Sequence, residues 1–325
     1  MLDLARWFSC TALVATLTLT ASGIPVSAQT AAPPLITVHL GATPDDDCAP
    51  ILYAQKAGLF TRAGLNVILD KSRSGAAAAA AVLSGSYDIA KSSLVNLMSA
   101  HVKGIPFTLI APAGMWDDST PFAQLLVLKD SPIRSAKDLN GKLLSVPALH
   151  DIGQVSDSAF VQQHGGDSST LHFVEFPMSG ASAALEQHRI DATTIVGPAM
   201  DAAMATGKFR SLGATFGAIA PHYLFSGWFT TKEWAAAHPD VVKRFLRVWA
   251  EAAAYANTHH DETEPLLAQF SLIPIEVLHK MTRGVYGTAL SAADIQPVID
   301  VAAKYQMIDK AFPAQEIIDP AASGK

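Results

Sequence analysis

The sequence predicts an α/β protein of two lobes with a helical C-terminal extension. Three observations predict it. Strands and helices alternate through roughly the first 230 residues, the pattern of mostly parallel sheets covered by helices. One α/β unit is stated twice. From Lys232 onward almost every segment reads as helix.

The first copy of the unit runs from Ala49 to Met98: a helix, the strand LNVILD, an Ala-rich helix opened by Ser74-Gly75, the strand YDIA and a further helix start. The second runs from about Asp157 to Met204. It has a helix ended by Gly165, the strand LHFVEF, an Ala-rich helix opened by Ser179-Gly180, the strand DATTIV and another helix. Asp88 and Asp191, which follow the Ala-rich helices, align once a two-residue gap is allowed. Repeats of about 100 residues are too long for a solenoid, so two units of equal design point to two lobes facing a shared cleft.

In chain order, Met1–Ala28 carries Arg6 in its head, a short apolar run and the small residues Val26-Ser27-Ala28. That is the pattern of a cleavable export leader, and Gly23 and Pro25 cut the apolar run below the roughly 20 residues a membrane span needs. Cys10 precedes most of that run, the wrong place for a lipid-acceptor cysteine. The mature chain, 325 less 28 residues, has 297, enough for two cores. It keeps one cysteine, Cys48, which excludes an intramolecular disulfide. The net charge of −6 leaves no basic footprint for nucleic acid. Lys243, Arg244 and Arg247 cluster among Phe245, Leu246 and Trp249 at helical spacing, a solvated helix face.

After the linker QTAAPP and the strand LITVHLG, Pro50 fits the first turn of a helix. Asp46 or Asp47 is placed to cap it. Gly58 ends that helix, Ser74 caps the Ala-rich one and Gly85 closes it in the left-handed region. Ser92-Ser93 precede the helix LVNLMSAHVK, ended by Gly104. GMWDDSTPF reads as a loop where the chain crosses between lobes. A short helix, a strand ending near Val146 and a helix from about Ile152 open the second lobe, and YLFSGWFTT reads as the strand that returns to the first. The expected division is leader 1–28, first lobe 29–118, second lobe 119–221, and 222–325 for the return and the C-terminal helices.

APILYAQKAGLF, AGLNV, SGAAAAAAVLSGSYDIA and DSPIRSAKDLNGKLLSV, with the export leader, the duplicated unit and the helical tail, resemble the periplasmic substrate-binding proteins of the nitrate/taurine/sulfonate and thiamine-precursor (NMT1-like) uptake systems. The similarity covers about Ile36 to Ile317. It implies a two-lobed type II periplasmic binding protein fold that closes over a small molecule and delivers it to an ABC transporter permease. It also implies a monomer without cofactor or metal, and a sulfonate, carboxylate or nitrogen heterocycle as ligand.

Carried over position by position, the resemblance offers Asp46, Asp47, Ser74, Gly75, Ser92 and Ser93 from the first lobe. It offers His150, Asp151, Gln154, Met178, Gly180 and Gly197 from the second, with Trp116 and Asp117 at the crossing. These sit at strand ends and helix starts, where open α/β sheets bind ligands and free N–H groups can hold oxyanions. Each has a plainer role available: caps for the serines and acids, hinge packing for Trp116, a surface position for His150, backbone turns for the glycines, core for Met178. Asp45-Asp46-Asp47 before the first helix suggests that the ligand presents a donor or positive group there. A ligand carboxylate would then be held near His150 and Gln154.

Catalytic readings find little support. No G-x-S-x-G, G-x-G-x-x-G, C-x-x-C or H-E-x-x-H pattern occurs. His259-His260-Asp261-Glu262 reads as a solvated helix end. The related enzymes that make the thiamine pyrimidine carry a cysteine-rich motif this chain lacks. An exported enzyme on the same scaffold and a sensory binding protein are the competing functions.

Overall fold

The computed structural model describes residues 34–322, so the leader expected at 1–28 lies outside the described residues. The first strand, β1 (Ile36–Ala42), passes through a single turn at Asp46–Cys48 into α1 (Ala49–Lys56) and α2 (Leu59–Arg62). Then follow β2 (Leu65–Lys71), α3 (Gly75–Leu83), β3 (Ile89–Ser93), α4 (Leu94–Val102) and β4 (Phe107–Pro112). Pro50 sits in the first turn of α1, where a missing N–H costs no hydrogen bond. Ser74 caps α3 by accepting from Ala77 N, and Gly85 beyond the far end takes φ +75°.

The expected loop around Trp116 is instead a strand, β5 (Gly114–Asp117), followed by β6 (Ala123–Leu128). The second unit is β7 (Leu143–Val146), α5 (Ile152–Gln163), β8 (His172–Glu175), α6 (Met178–Glu186), β9 (Ala192–Val196), α7 (Gly197–Ala205) and β10 (Phe209–Gly213). The helix expected to open at Ser179-Gly180 opens at Met178, with Pro177 before it. The return runs through β11 (His222–Leu224) and β12 (Ser226–Thr231). After it come α8 (Lys232–Ala237), α9 (Pro239–Ala256), α10 (His260–Ser271), α11 (Ile275–Leu278), β13 (Val285–Tyr286) and α12 (Ala292–Lys304).

Two five-stranded sheets form, one per lobe, with the orders β2-β1-β3-β12-β4 and β8-β7-β9-β6-β10. They share one topology. In each, three strands of the repeated unit run parallel, and the strand that follows a crossing between lobes, β6 or β12, runs antiparallel to both neighbours. Each sheet is therefore mostly parallel, with one reversed strand, because a crossing chain enters each sheet from the opposite end. The two crossings also pair with each other: β5 is antiparallel to β11, with β13 on its other edge. At this hinge a Cβ on Gly114 would fall on the Phe225 ring, so the close approach of the two segments requires glycine.

Helix α9 covers the first sheet. Val241, Val242, Phe245, Val248, Trp249, Ala252, Ala253 and Ala256 recur at three- and four-residue intervals and are buried, while Lys243 and Arg247 face water. Burying each of the larger of these side chains is worth about 1.5–3 kcal/mol, an upper bound for a chain already compact when unfolded. Trp249 Nε1 donates to Gly287 O (2.8 Å), which ties the extension to the segment after β13. Among the described residues no helix is long and apolar enough to cross a membrane.

Candidate functional site

A cleft of about 700 Å³ opens between the two sheets, at the carboxyl ends of their parallel strands. The first lobe lines it with the turn Thr43–Asp47, Arg73, Ser74 and Gly75 at the start of α3, and Lys91, Ser92 and Ser93 at the end of β3. The second lobe contributes Asp151, Ile152, Met178, Thr194, Val196 and Gly197. Phe122, Phe216 and Phe225, next to the crossings, form a wall whose ring centroids lie 5.5–6.4 Å apart. Leu267, Leu278 and Met281, from α10 and the segment around α11, form a further apolar side.

The cap expected from Asp46 or Asp47 at the first helix does not form. Neither Asp45 at the head of the turn nor Cys48 at the head of α1 makes a side-chain cap. Instead Asp47 pairs with the ammonium of Lys91, which is 2% exposed, and Asp45 lies 3.4 Å from the same nitrogen. Burial works against that ammonium, but the Asp47 and Asp45 carboxylates outweigh it and raise the Lys91 pKa above the ordinary lysine value. Asp47 also accepts from Ser226 Oγ at 2.5 Å. Asp46 accepts from Arg283 Nε (2.7 Å), Gly284 N (2.8 Å) and Tyr286 OH (3.2 Å). The acids of this turn thus fasten the first lobe to β3 and to the C-terminal extension. Beside them burial pushes the Cys48 thiol up to about 12, leaving it unreactive.

The serines do cap. Ser93 Oγ accepts from Asn96 N at the start of α4 (3.4 Å) and donates to Asp151 Oδ1 across the cleft (2.6 Å). Asp151 Oδ1 also accepts from Ile152 N at the start of α5 (2.6 Å). Burial pushes the Asp151 carboxyl upward, against those two hydrogen bonds, and no ion pair reaches it among the described residues. A second bond between lobes runs from Thr282 N to Asp201 Oδ2 on α7 (3.2 Å). Gly75 is where α3 approaches β3: a Cβ there would fall on Ser92 Oγ.

Of the sequence candidates, Asp46, Asp47, Ser74, Gly75, Ser92, Ser93, Asp151, Met178 and Gly197 line the cleft. Trp116 does not. It is fully buried behind the aromatic wall, 5.2 Å from Phe122 and 5.4 Å from Phe216, with Nε1 on Asp118 (2.7 Å). Asp117 faces away, bonded to Ser119 and paired with His222 Nδ1 (3.1 Å); the Ser119 bonds lower its pKa. His150 is exposed in the left-handed region (φ 56°), and its N–H is taken by Gln154 Oε1 (2.8 Å), so these two residues satisfy each other outside the lining. Gly180 packs under the Phe176 ring.

Sequence reasoning missed Arg73, Lys91, Arg283 and the phenylalanine wall. Lys91 had a readable signal, since a lysine inside the buried strand DIAKSS must find a counter-charge. Arg283 had none: its segment reads as helix, but α11 ends at Leu278 and β13 pairs with β5. Arg73 is exposed at the cleft rim. Among the described residues, ligand-type atoms of Asp261, Glu264 and His279 lie within 4.8 Å of one another, but Arg283 Nη1, 3.8 Å from Glu264 Oε1, already supplies positive charge there.

Comparison with known proteins agrees with this geometry. Over 280 residues the chain is 22% identical to the putative aliphatic sulfonates-binding protein of Bacillus subtilis (strain 168), covering 83% of this chain and 82% of that one. Its fold matches the periplasmic aliphatic sulphonate binding protein SsuA of Escherichia coli with a TM-score of 0.71 at 17% identity, over 89% of this chain and 94% of the other. The periplasmic nitrate-binding protein NrtA of Synechocystis PCC 6803 matches with a TM-score of 0.62 at 15% identity, over 75% and 69%. The model of the family described as NMT1/THI5 like matches residues 45–263, and the chain belongs to that family, with the two-lobed fold of the periplasmic binding proteins.

Proposed function

We propose that this chain is the solute-binding component of an ABC importer. It works in the periplasm after loss of residues 1–28, captures a small polar organic molecule in the interlobe cleft and hands it to a membrane permease. The observation that carries the reading is the cleft itself. Both lobes line it, paired crossing strands hinge it, and Ser93–Asp151 and Thr282–Asp201 close it. Its volume falls within the roughly 300–1,000 Å³ of small-molecule sites. The family's relatives are binding proteins, and binding needs no more than what lines this cleft: an apolar wall, a few polar groups and lobes that can part.

Native mass spectrometry of freshly purified protein tests the reading. The expected result is a bound small molecule that is released unchanged on unfolding. A molecule that the protein converts into another species contradicts it.

A further inference from the structure

We propose that Asp151 is the charge partner of the solute, and that the solute is an organic ammonium ion with an apolar body. This rests on the receptor reading above. Charge accounting around the cleft leads to it. Asp45 and Asp47 share Lys91, and Asp46 holds Arg283, so each of the three acids before α1 has a cation of this chain beside it. Asp151 also lines the cleft, yet no cation reaches it among the described residues. Its Oδ1 takes two hydrogen bonds, from Ser93 and Ile152, and none of the described residues donates to Oδ2.

The surroundings make an unpaired carboxylate costly. Ile152, Met178, Val196 and the phenylalanine wall line the same cleft, and charge in such a setting is stabilised by an opposite charge or lost to protonation. Burial already pushes this carboxyl toward its neutral form. An ammonium on the solute supplies the missing counter-charge, and aromatic faces nearby suit both a cation and its apolar body. An anion at the same place would meet the carboxylate, which already occupies the Ile152 N–H at the start of α5. Because Ser93 and Asp151 belong to opposite lobes, a cation seated there also favours the closed arrangement.

Isothermal calorimetry with matched probes tests this. 2-Phenylethylammonium and 3-phenylpropanoate share an apolar body and differ in charge; butylammonium and butanoate form a smaller pair. Each is titrated into wild type and Asp151→Asn, which keeps the helix cap and the Ser93 bond without the charge. The expected result is a preference for the ammonium member of about tenfold or more in wild type, lost in the variant, as removing a charged hydrogen bond implies. Preference for the carboxylate member, or an ammonium preference unchanged in Asp151→Asn, overturns the assignment while leaving the receptor reading intact. Binding of none of the four probes overturns the ligand class, and a solute still found bound by native mass spectrometry would then show that the receptor reading survives.

Discussion

The two lobes repeat one topology and differ at the mouths of their first helices. The shared part is backbone scaffolding. Asp88 accepts from His39 N through Oδ2 (2.8 Å) and gives its own N–H to His39 O (2.9 Å). Asp191 does the same with Leu143, at 2.9 and 2.8 Å. Each acid locks the strand it precedes to the first strand of its unit. At the helix mouths the likeness ends. The acids before α1 are paired with Lys91 and Arg283, whereas Asp151 before α5 has no cation. Similar residues in similar places thus serve structure in one lobe and remain available to a solute in the other. What separates the two roles is whether a lysine or arginine reaches the carboxylate.

The largest effect should come from breaking the first lobe's pairing. Lys91→Met keeps the length of the side chain and leaves Asp47 buried without its counter-charge. Removing one partner of a buried pair costs about 3–5 kcal/mol, which for a chain of this size lowers Tm by on the order of 10 °C. A thermal scan showing little loss would mean that the pair is not what holds the turn to β3.

A smaller effect sharpens the contrast from the other side. The second lobe carries another acid without a cation, Asp157, fully buried, with one oxygen on Thr194 Oγ1 (2.5 Å) and the other without a partner. Burial pushes its carboxyl up to about 7, against the pull of the Thr194 and Thr215 hydroxyls. An unfolded aspartate titrates near about 3.9, so between about pH 4 and 7 the folded form holds a proton that the unfolded form has shed. Stability is therefore lost as pH rises through that window. Asp157→Asn should raise Tm at pH 8, by up to a few kcal/mol in stability, and give no gain at pH 4. Equal shifts at both pH values would show that the carboxyl does not titrate there.

Much of the fold was legible in the sequence for physical reasons. Glycines at helix ends, serines at helix starts and the period of the apolar residues mark the repeated unit, and Asp88 with Asp191 marks its register. The antiparallel strands were not legible, because strand direction depends on where a crossing chain enters a sheet and leaves no local pattern. The site was legible where local chemistry and position coincide, as at Ser74, Ser93 and Asp151. It was not where the partner comes from far along the chain. Nothing near Asp46 shows that Arg283 will neutralise it, and nothing near Phe122 shows that Phe216 and Phe225 will complete a wall. His150 looked suitable by position, but its left-handed backbone turns its N–H to Gln154.

The most direct measurement of the difference between the lobes compares Asp46→Asn with Asp151→Asn, reading Tm and affinity for the co-purified solute on the same preparations. The account expects Asp46→Asn to lower Tm by several degrees, since Arg283 loses the nearer of its two counter-charges, with affinity within about threefold of wild type. It expects Asp151→Asn to keep Tm within about 2 °C, since the cap survives, and to lose about tenfold or more in affinity. The reverse pattern, affinity lost in Asp46→Asn and kept in Asp151→Asn, would contradict the assignment of scaffold charge to the first lobe and ligand charge to the second.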